Sequence, residues 1–108
     1  MTTSLTLDTA CGNDGKLVLI AAGEIDLSNI DAFDQALTTA TSEAASSGGT
    51  LTVDLSAVEY LDSGAINALV ARADHIRLIA HPLLMSALTV SGLNELITIE
   101  PAPPTAEH

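Results

Sequence analysis

The chain has 108 residues, one domain's worth, and hydrophobic residues make up 47% of it with only Phe33 and Tyr60 aromatic. Such a core must be assembled from many small aliphatic contacts, which suits helices layered on a β-sheet. Fourteen acids against three bases give a net charge of −11, which argues against nucleic acid or an anionic membrane as partner and favours a protein with a basic surface.

Cys11 is the only cysteine, so no internal disulfide can form, and a cytoplasmic location fits. No basic stretch precedes an apolar one, and no apolar run approaches about eighteen residues. The sequence therefore predicts neither a signal peptide nor a membrane span.

Residues 3–9 alternate loosely through Leu5 and Leu7, and Cys11-Gly-Asn-Asp-Gly15 supplies turn chemistry. A nearly continuous apolar run follows from Lys16 to Ala22. Together these predict a β-hairpin whose second strand is buried on both faces. The run closes at Gly23-Glu-Ile-Asp26. Ser28, with Asp31 three residues on, resembles a capping box. Ile30, Phe33, Leu37, Ala40 and Ala44 then recur at helical spacing until Ser46-Ser-Gly-Gly49 stops the helix.

Leu51, Val53 and Leu55 alternate as a third strand, followed by a short turn over Glu59–Ser63. A second helix is expected from Ser63, with Ile66, Leu69, Val70 and Ala73 as its apolar stripe. Ile76 to Ala80 predicts a fourth strand. Pro82 suits the first position of a third helix, with Leu84, Met85 and Leu88 facing inward. Ser91-Gly92-Leu93 reads as a Schellman stop. Leu96 to Ile99 is the expected fifth strand, and residues 101–108 are Pro-rich and expected to form a flexible tail.

The order β-β-α-β-α-β-α-β implies an α/β fold. Its mixed, mostly parallel sheet of about five strands is covered by about three helices, in a single domain over residues 1–100. In such sheets functional loops gather beyond the carboxyl ends of the strands. Asp26, Asp54 and the Glu59–Ser63 turn all belong to that edge.

Asp62-Ser63 is the pair to explain. Either side chain can cap the second helix by accepting a backbone N–H bond. The functional reading is phosphorylation of Ser63, which adds about two negative charges and three strong acceptors. A helix N-terminus tolerates that charge. With Glu59 and Asp62 close in sequence and no arginine near, the main effect would be repulsion of a partner. Asp26, Asp54 and Asp62 could converge on Mg²⁺, as in receiver domains, but Lys16 starts its strand at the wrong edge to hold a phosphoryl group, so no metal site is expected. His75 and His81 flank the fourth strand without a third ligand at suitable spacing. No GxSxG, HExxH, P-loop or GxGxxG sequence occurs, so neither an enzyme nor a cofactor is expected.

These residues carry a family likeness. Val53-Asp-Leu-Ser-Ala-Val58 followed by Leu61-Asp-Ser-Gly-Ala-Ile66 resembles the signature of the STAS domain, the anti-anti-sigma factor fold. Gly23-Glu-Ile-Asp26 is similar to the family's Gly-Glu-Leu/Ile-Asp, and His81-Pro82 and Ser91-Gly-Leu93 resemble its later elements. The likeness extends over residues 3–99 in order. It implies an anti-sigma factor antagonist: the unphosphorylated protein binds an anti-sigma factor and so frees a sigma factor. In that family the anti-sigma factor is often also a serine kinase that phosphorylates the serine after Asp and breaks the complex. That serine is matched by Ser63, the acid before it by Asp62 and the loop acid by Asp26.

The resemblance thus implies a phosphorylation site at Ser63 and a partner-binding set of Asp26, Glu59, Asp62, Ser63, Gly64 and Asn67. Gly64 stands where the family has a second Ser, and Ala65 where it has Gly. From Asp62 to Pro82 the chain is about two helical turns shorter than typical members, and a Pro-rich tail replaces their C-terminal helix. A STAS subunit docking on the ATPase of an ABC-type or other transporter is therefore a second reading. A degenerate binding module that takes a small ligand or forms a homodimer is a third.

Overall fold

The structure is a computed structural model that describes residues 4–11 and 16–102. Its elements follow the expected order. Strand β1 is Leu5–Cys11, β2 Leu17–Ile25, helix α1 Ile30–Ser46, β3 Leu51–Leu61, α2 Ser63–Val70, β4 Ile76–Ala80, α3 Pro82–Val90 and β5 Ile99–Pro101. One-turn 3₁₀ helices at Ala73–His75 and Leu93–Glu95 lead into β4 and towards β5.

The strands lie in the sheet in chain order, β1-β2-β3-β4-β5. β1 is antiparallel to β2, and every later pair is parallel. Because each parallel crossover steps in the same direction, right-handed connections put all three helices on one face of the sheet. Burial follows that rule. Leu19, Ala21, Leu51, Val53, Leu55, Leu78 and Ala80 are buried under the helices, whereas Val18, Ile20, Thr52, Asp54, Arg77 and Ile79 on the opposite face are only half-buried. The expectation that β2 is buried on both faces is thus corrected: an apolar run reads as two-sided, but this topology leaves one side uncovered.

Beneath the helices the core is continuous. Phe33 and Leu37 of α1, Ala65 and Leu69 of α2, and Leu88 of α3 pack with Ile25, Val58 and Leu93. The expected stripe of α1 is the one that faces the sheet, and only its first residue, Ile30, stays partly exposed. Arg72 ties α2 to α1 by an ion pair to Asp34 at 3.1 Å, a hydrogen bond to Thr38 Oγ1 and another to Ala68 O.

Several boundaries move. Cys11 ends β1 rather than starting the hairpin turn, and the turn residues 12–15 lie outside the described residues. β2 continues through Gly23, Glu24 and Ile25. β3 runs on to Leu61, so the expected turn at Glu59 is strand. Two register shifts against β2 explain why: Ile20 and Ala22 pair with Asp54 and Ala57, and Gly23 and Glu24 pair with Val58 and Tyr60. Each shift inserts one extra β3 residue, a bulge that re-phases the inward positions. Buried residues accordingly fall at Leu51, Val53 and Leu55, then Val58, then Leu61. Asp54 holds the first bulge, its Oδ1 accepting from Ser56 N–H at 2.9 Å and Ser56 Oγ–H at 2.6 Å.

At the C-terminal side, α3 begins at Pro82 as expected, and His81 Nδ1 accepts from Leu83 N–H at 3.0 Å. The stop also forms, with Gly92 left-handed at φ 82° and Leu93 buried. β5 lies later than expected, so Pro101 is part of the sheet, at an edge where its missing N–H costs no ladder bond. Residues 103–108 of the expected tail lie outside the described residues.

Gly23 is the least replaceable position in the frame. Its φ is +111°, and a Cβ there would lie 2.3 Å from Ser4 O, the atom that accepts from Glu24 N–H. Gly23→Ala should therefore cost about 2–3 kcal/mol of folding stability. A urea denaturation midpoint checks this; an unchanged midpoint would contradict the packing described here.

Candidate functional site

The carboxyl ends of β2 and β3 are joined where the strands finish. Asp62 N–H donates to Ile25 O at 3.1 Å, which carries the parallel pairing one step past Leu61. The β2–α1 loop is thereby set beside the start of α2. Across that junction, a Cβ on Gly64 would lie 3.6 Å from Ile30 Cγ1, so the first turns of α1 and α2 are in near contact.

The loop is held by its own polar groups. Asp26 Oδ1 accepts from Ser28 N–H at 2.9 Å and from Ser28 Oγ–H at 2.6 Å. Asn29 Oδ1 accepts from Asp26 N–H at 3.0 Å, while Asn29 Nδ2 donates to Glu24 O at 2.9 Å. The expected capping box at Ser28 and Asp31 does not form. Asn29 occupies the cap position with its side chain turned back to the loop, and Ser28 is drawn to Asp26. Leu27, between these anchored residues, is 84% exposed.

On α2 the two readings of Asp62-Ser63 separate. Asp62 is the N-cap, extended at φ −91° and ψ 179°, and its Oδ1 accepts from Ala65 N–H at 3.0 Å. Ser63 is the first helical residue and is exposed. Its hydroxyl makes no hydrogen bond among the described residues, unlike Ser28 and Ser56, whose hydroxyls are held by carboxylates. The N–H groups of Ser63 and Gly64 belong to the helix's unpaired first turn. An anion on Ser63 Oγ would meet those donors and the favourable end of the helix dipole.

Asn67 lies one turn on from Ser63, and Val70 nearly two. All three are exposed and fall on one helix face. The face carries no base: Arg72 lies about 13 Å further along the chain's helical rise and is engaged by Asp34. Glu59 is exposed on β3 at the second bulge, and Tyr60 beside it is half-exposed opposite Glu24. A side chain on Gly64 would crowd the cap, its Cβ 3.3 Å from Asp62 Oδ1.

The structure therefore brings the loop at Asp26 together with Asp62, Ser63 and Gly64. It does not bring Asp54 to them, since that carboxylate is spent on the first bulge. Among the described residues no three His, Cys, Asp or Glu side chains are grouped so as to hold a metal ion. Leu27 and Val70 had no signal in the sequence: a single leucine in a polar loop has no period, and Val70 counted as part of the buried stripe. No helix among the described residues is long and apolar enough to cross a membrane.

Comparison with known proteins agrees with this architecture. Residues 11–98 match the family described as Mlab, STAS domain. The chain belongs to the STAS domain family. An anti-sigma factor antagonist from Mycobacterium paratuberculosis is 28% identical over 96% of this chain and 89% of its own, with a TM-score of 0.78. The anti-sigma factor antagonist SpoIIAA in its unphosphorylated form is 16% identical over 92% of this chain and 90% of its own, with a TM-score of 0.68. A putative anti-sigma factor antagonist from Thermotoga maritima is 16% identical over 87% of this chain and 85% of its own, at 0.67. The latter two show likeness of fold alone. No curated protein matches the chain at a significant level.

Because Asp62 and not Ser63 caps α2, the two residues should differ in their stability cost. Asp62→Ala should lose about 1 kcal/mol, and Ser63→Ala should stay within about 0.5 kcal/mol of the parent protein. Paired urea melts check the difference; equal losses would mean the serine also caps.

Proposed function

We propose that the protein is a non-catalytic binding module of the anti-sigma factor antagonist type, switched by phosphorylation of Ser63. In the unmodified state it binds an anti-sigma factor and releases a sigma factor; in the phosphorylated state it lets go. The observation that carries this reading is the division of labour at α2. The cap is supplied by Asp62, which leaves the Ser63 hydroxyl exposed and uncommitted at a helix start. The 28%-identical anti-sigma factor antagonist from Mycobacterium paratuberculosis supports the partner class. Such a regulator works in the cytoplasm, with no cofactor of its own.

A serine kinase, which in this reading is the anti-sigma factor itself, would transfer the γ-phosphoryl group of ATP to Ser63 Oγ. ADP leaves, and the hydroxyl proton passes to a base of the kinase. The added charge of about −2 joins Asp62 and the acids of the neighbouring strand and loop. The partner surface that suits the unmodified face is basic at its rim and apolar opposite Leu27. Ser63, Asn67 and Val70 supply the flat centre, with Asp26 and Glu59 at its border. Phosphate would alter the charge and hydration of that centre while the α2 dipole keeps the domain folded.

The eight-residue α2 favours one alternative, a STAS subunit docking by the same face on a transporter ATPase. A pull-down from the native host with wild type, Ser63→Ala and Ser63→Glu separates the two readings. An anti-sigma factor should be retained by the first two and lost at least tenfold by Ser63→Glu, which should still fold. Equal binding by the Ala and Glu forms would contradict the switch, and capture of a transporter ATPase would select the alternative. Mass spectrometry should place phosphate on Ser63; phosphate only on Ser28 or Ser56 would move the site.

Leu27 supplies an independent check. With 84% exposure it contributes little to folding, so Leu27→Ser should leave the melting temperature unchanged. The same substitution should weaken partner binding about tenfold, as expected for an apolar anchor. Calorimetry against the captured partner reads this directly, and unchanged affinity would remove Leu27 from the interface.

A further inference from the structure

The two edges of the sheet are finished differently. β5 is three residues long, carries Pro101, and has Glu100 paired to Arg77 at 2.7 Å, features that discourage a further strand from adding. β1 is seven residues long, keeps unbroken register with β2, and contains neither proline nor lysine. Hydrogen-bond parity identifies its spare groups. Glu24 N–H donates to Ser4 O at 3.0 Å, so Thr6–Ala22, Asp8–Ile20 and Ala10–Val18 are the bonded pairs that follow. The N–H and C=O groups of Leu5, Leu7, Thr9 and Cys11 consequently point away from β2. One donor is already engaged, Thr9 N–H with Asp8 Oδ1 at 2.9 Å. Beside this edge a groove of about 560 Å³ runs between β1 and α1, with Leu7, Ala36 and Ala40 on its apolar side and Asp8, Gln35 and Glu43 on its polar side.

We infer that the β1 edge is a self-association surface, where a second copy of the chain adds its own β1 antiparallel about a twofold axis at Leu7. In that register Leu7 pairs with the partner's Leu7 and Leu5 with the partner's Thr9, using only outward-pointing groups. Thr6 then stands opposite the partner's Asp8, so a hydroxyl meets a carboxylate and no two acids face each other. An axis between residues would match outward groups with inward ones. An axis at Asp8 would set the two carboxylates face to face. The chosen register places the Leu7 pair over the mouths of the two grooves, where the alanines of α1 leave room.

Two features limit the strength of this pairing. A seven-residue strand is about 24 Å long and a sheet about 10 Å thick, so the strand contact covers on the order of 240 Å² per copy, well below the roughly 800 Å² of a stable interface. Each copy also carries a net charge of −11. The dimer is therefore reversible and strengthened by salt, which screens the repulsion. Asp8 opposes it as well, because its carboxylate must release Thr9 N–H before that donor can reach the partner's Leu5.

Sedimentation velocity from about 10 μM to about 1 mM protein tests the inference. Wild type should show a concentration-dependent dimer whose affinity rises with added NaCl. Asp8→Ala, which removes the competing acceptor and two charges per dimer, should tighten it about tenfold. Thr9→Pro should be monomeric throughout, since its N–H serves no bond to β2. Leu7→Cys in a Cys11→Ser background should be joined into a covalent dimer by a short bis-maleimide, each thiol adding across one maleimide double bond, because Cα atoms of a bonded antiparallel pair lie about 5.5 Å apart with both side chains on the same face. Crosslinking also decides the matter if Thr9→Pro fails to fold. Wild type and Asp8→Ala that stay monomeric in high salt, or a dimer that does not crosslink through Leu7→Cys, would overturn the inference.

Discussion

The hydrogen bond from Asp62 N–H to Ile25 O is the contact on which the site depends. It is the last rung between β2 and β3, and it fixes where both strands end. The β2–α1 loop and the α2 N-terminus leave the sheet from that rung on adjacent tracks. The two segments are therefore neighbours although they are more than thirty residues apart in the chain. Gly23 and the two β3 bulges serve the same end. The glycine lets β2 pass close beneath Ser4, and the bulges lengthen β3 until its end comes level with Ile25.

Around that rung, the carboxylates of the aspartates build the frame, and the Ser63 hydroxyl takes no part in it. Asp26 and Asp54 each gather the N–H and hydroxyl of the serine two residues on, closing a loop in one case and a bulge in the other. Asp62 caps α2. Carboxylates spent in this way are poor candidates for metal binding or for acid–base chemistry. Ser63 stands apart: a hydroxyl at a helix start, exposed and without a hydrogen bond among the described residues. That arrangement suits modification and recognition better than catalysis.

Much of this was legible in the sequence, for physical reasons that differ by element. α1 and β4 follow one undisturbed period each, 3.6 and 2, and were placed within a residue or so. β3 was cut short because each bulge breaks the alternation, so that Val58 and Leu61 fall out of phase with Leu51, Val53 and Leu55. The uncovered face of the sheet has no signal in the sequence, because Val18, Ile20 and Ala22 are apolar whether or not anything covers them; only the strand order puts every helix among the described residues on the other face. At the site, the Asp62-Ser63 pair stood out by motif, but which of the two caps α2 was settled by backbone geometry at Asp62. Ser28 is ambiguous in the same way, since a serine near a helix start can serve the loop before it instead, as Ser28 does by donating to Asp26.

The central claim is that a phosphate on Ser63 acts on the partner and not on the fold that carries it. The amide NMR spectrum of the Ser63-phosphorylated protein, compared with that of the unmodified protein, tests this most directly. Shifts confined to Asp26–Asn29 and Leu61–Asn67, with the core strands unmoved, are the result expected. Shifts spread through Leu19, Val53 and Leu78 would show that the modification reorganises the domain itself, and would contradict the account.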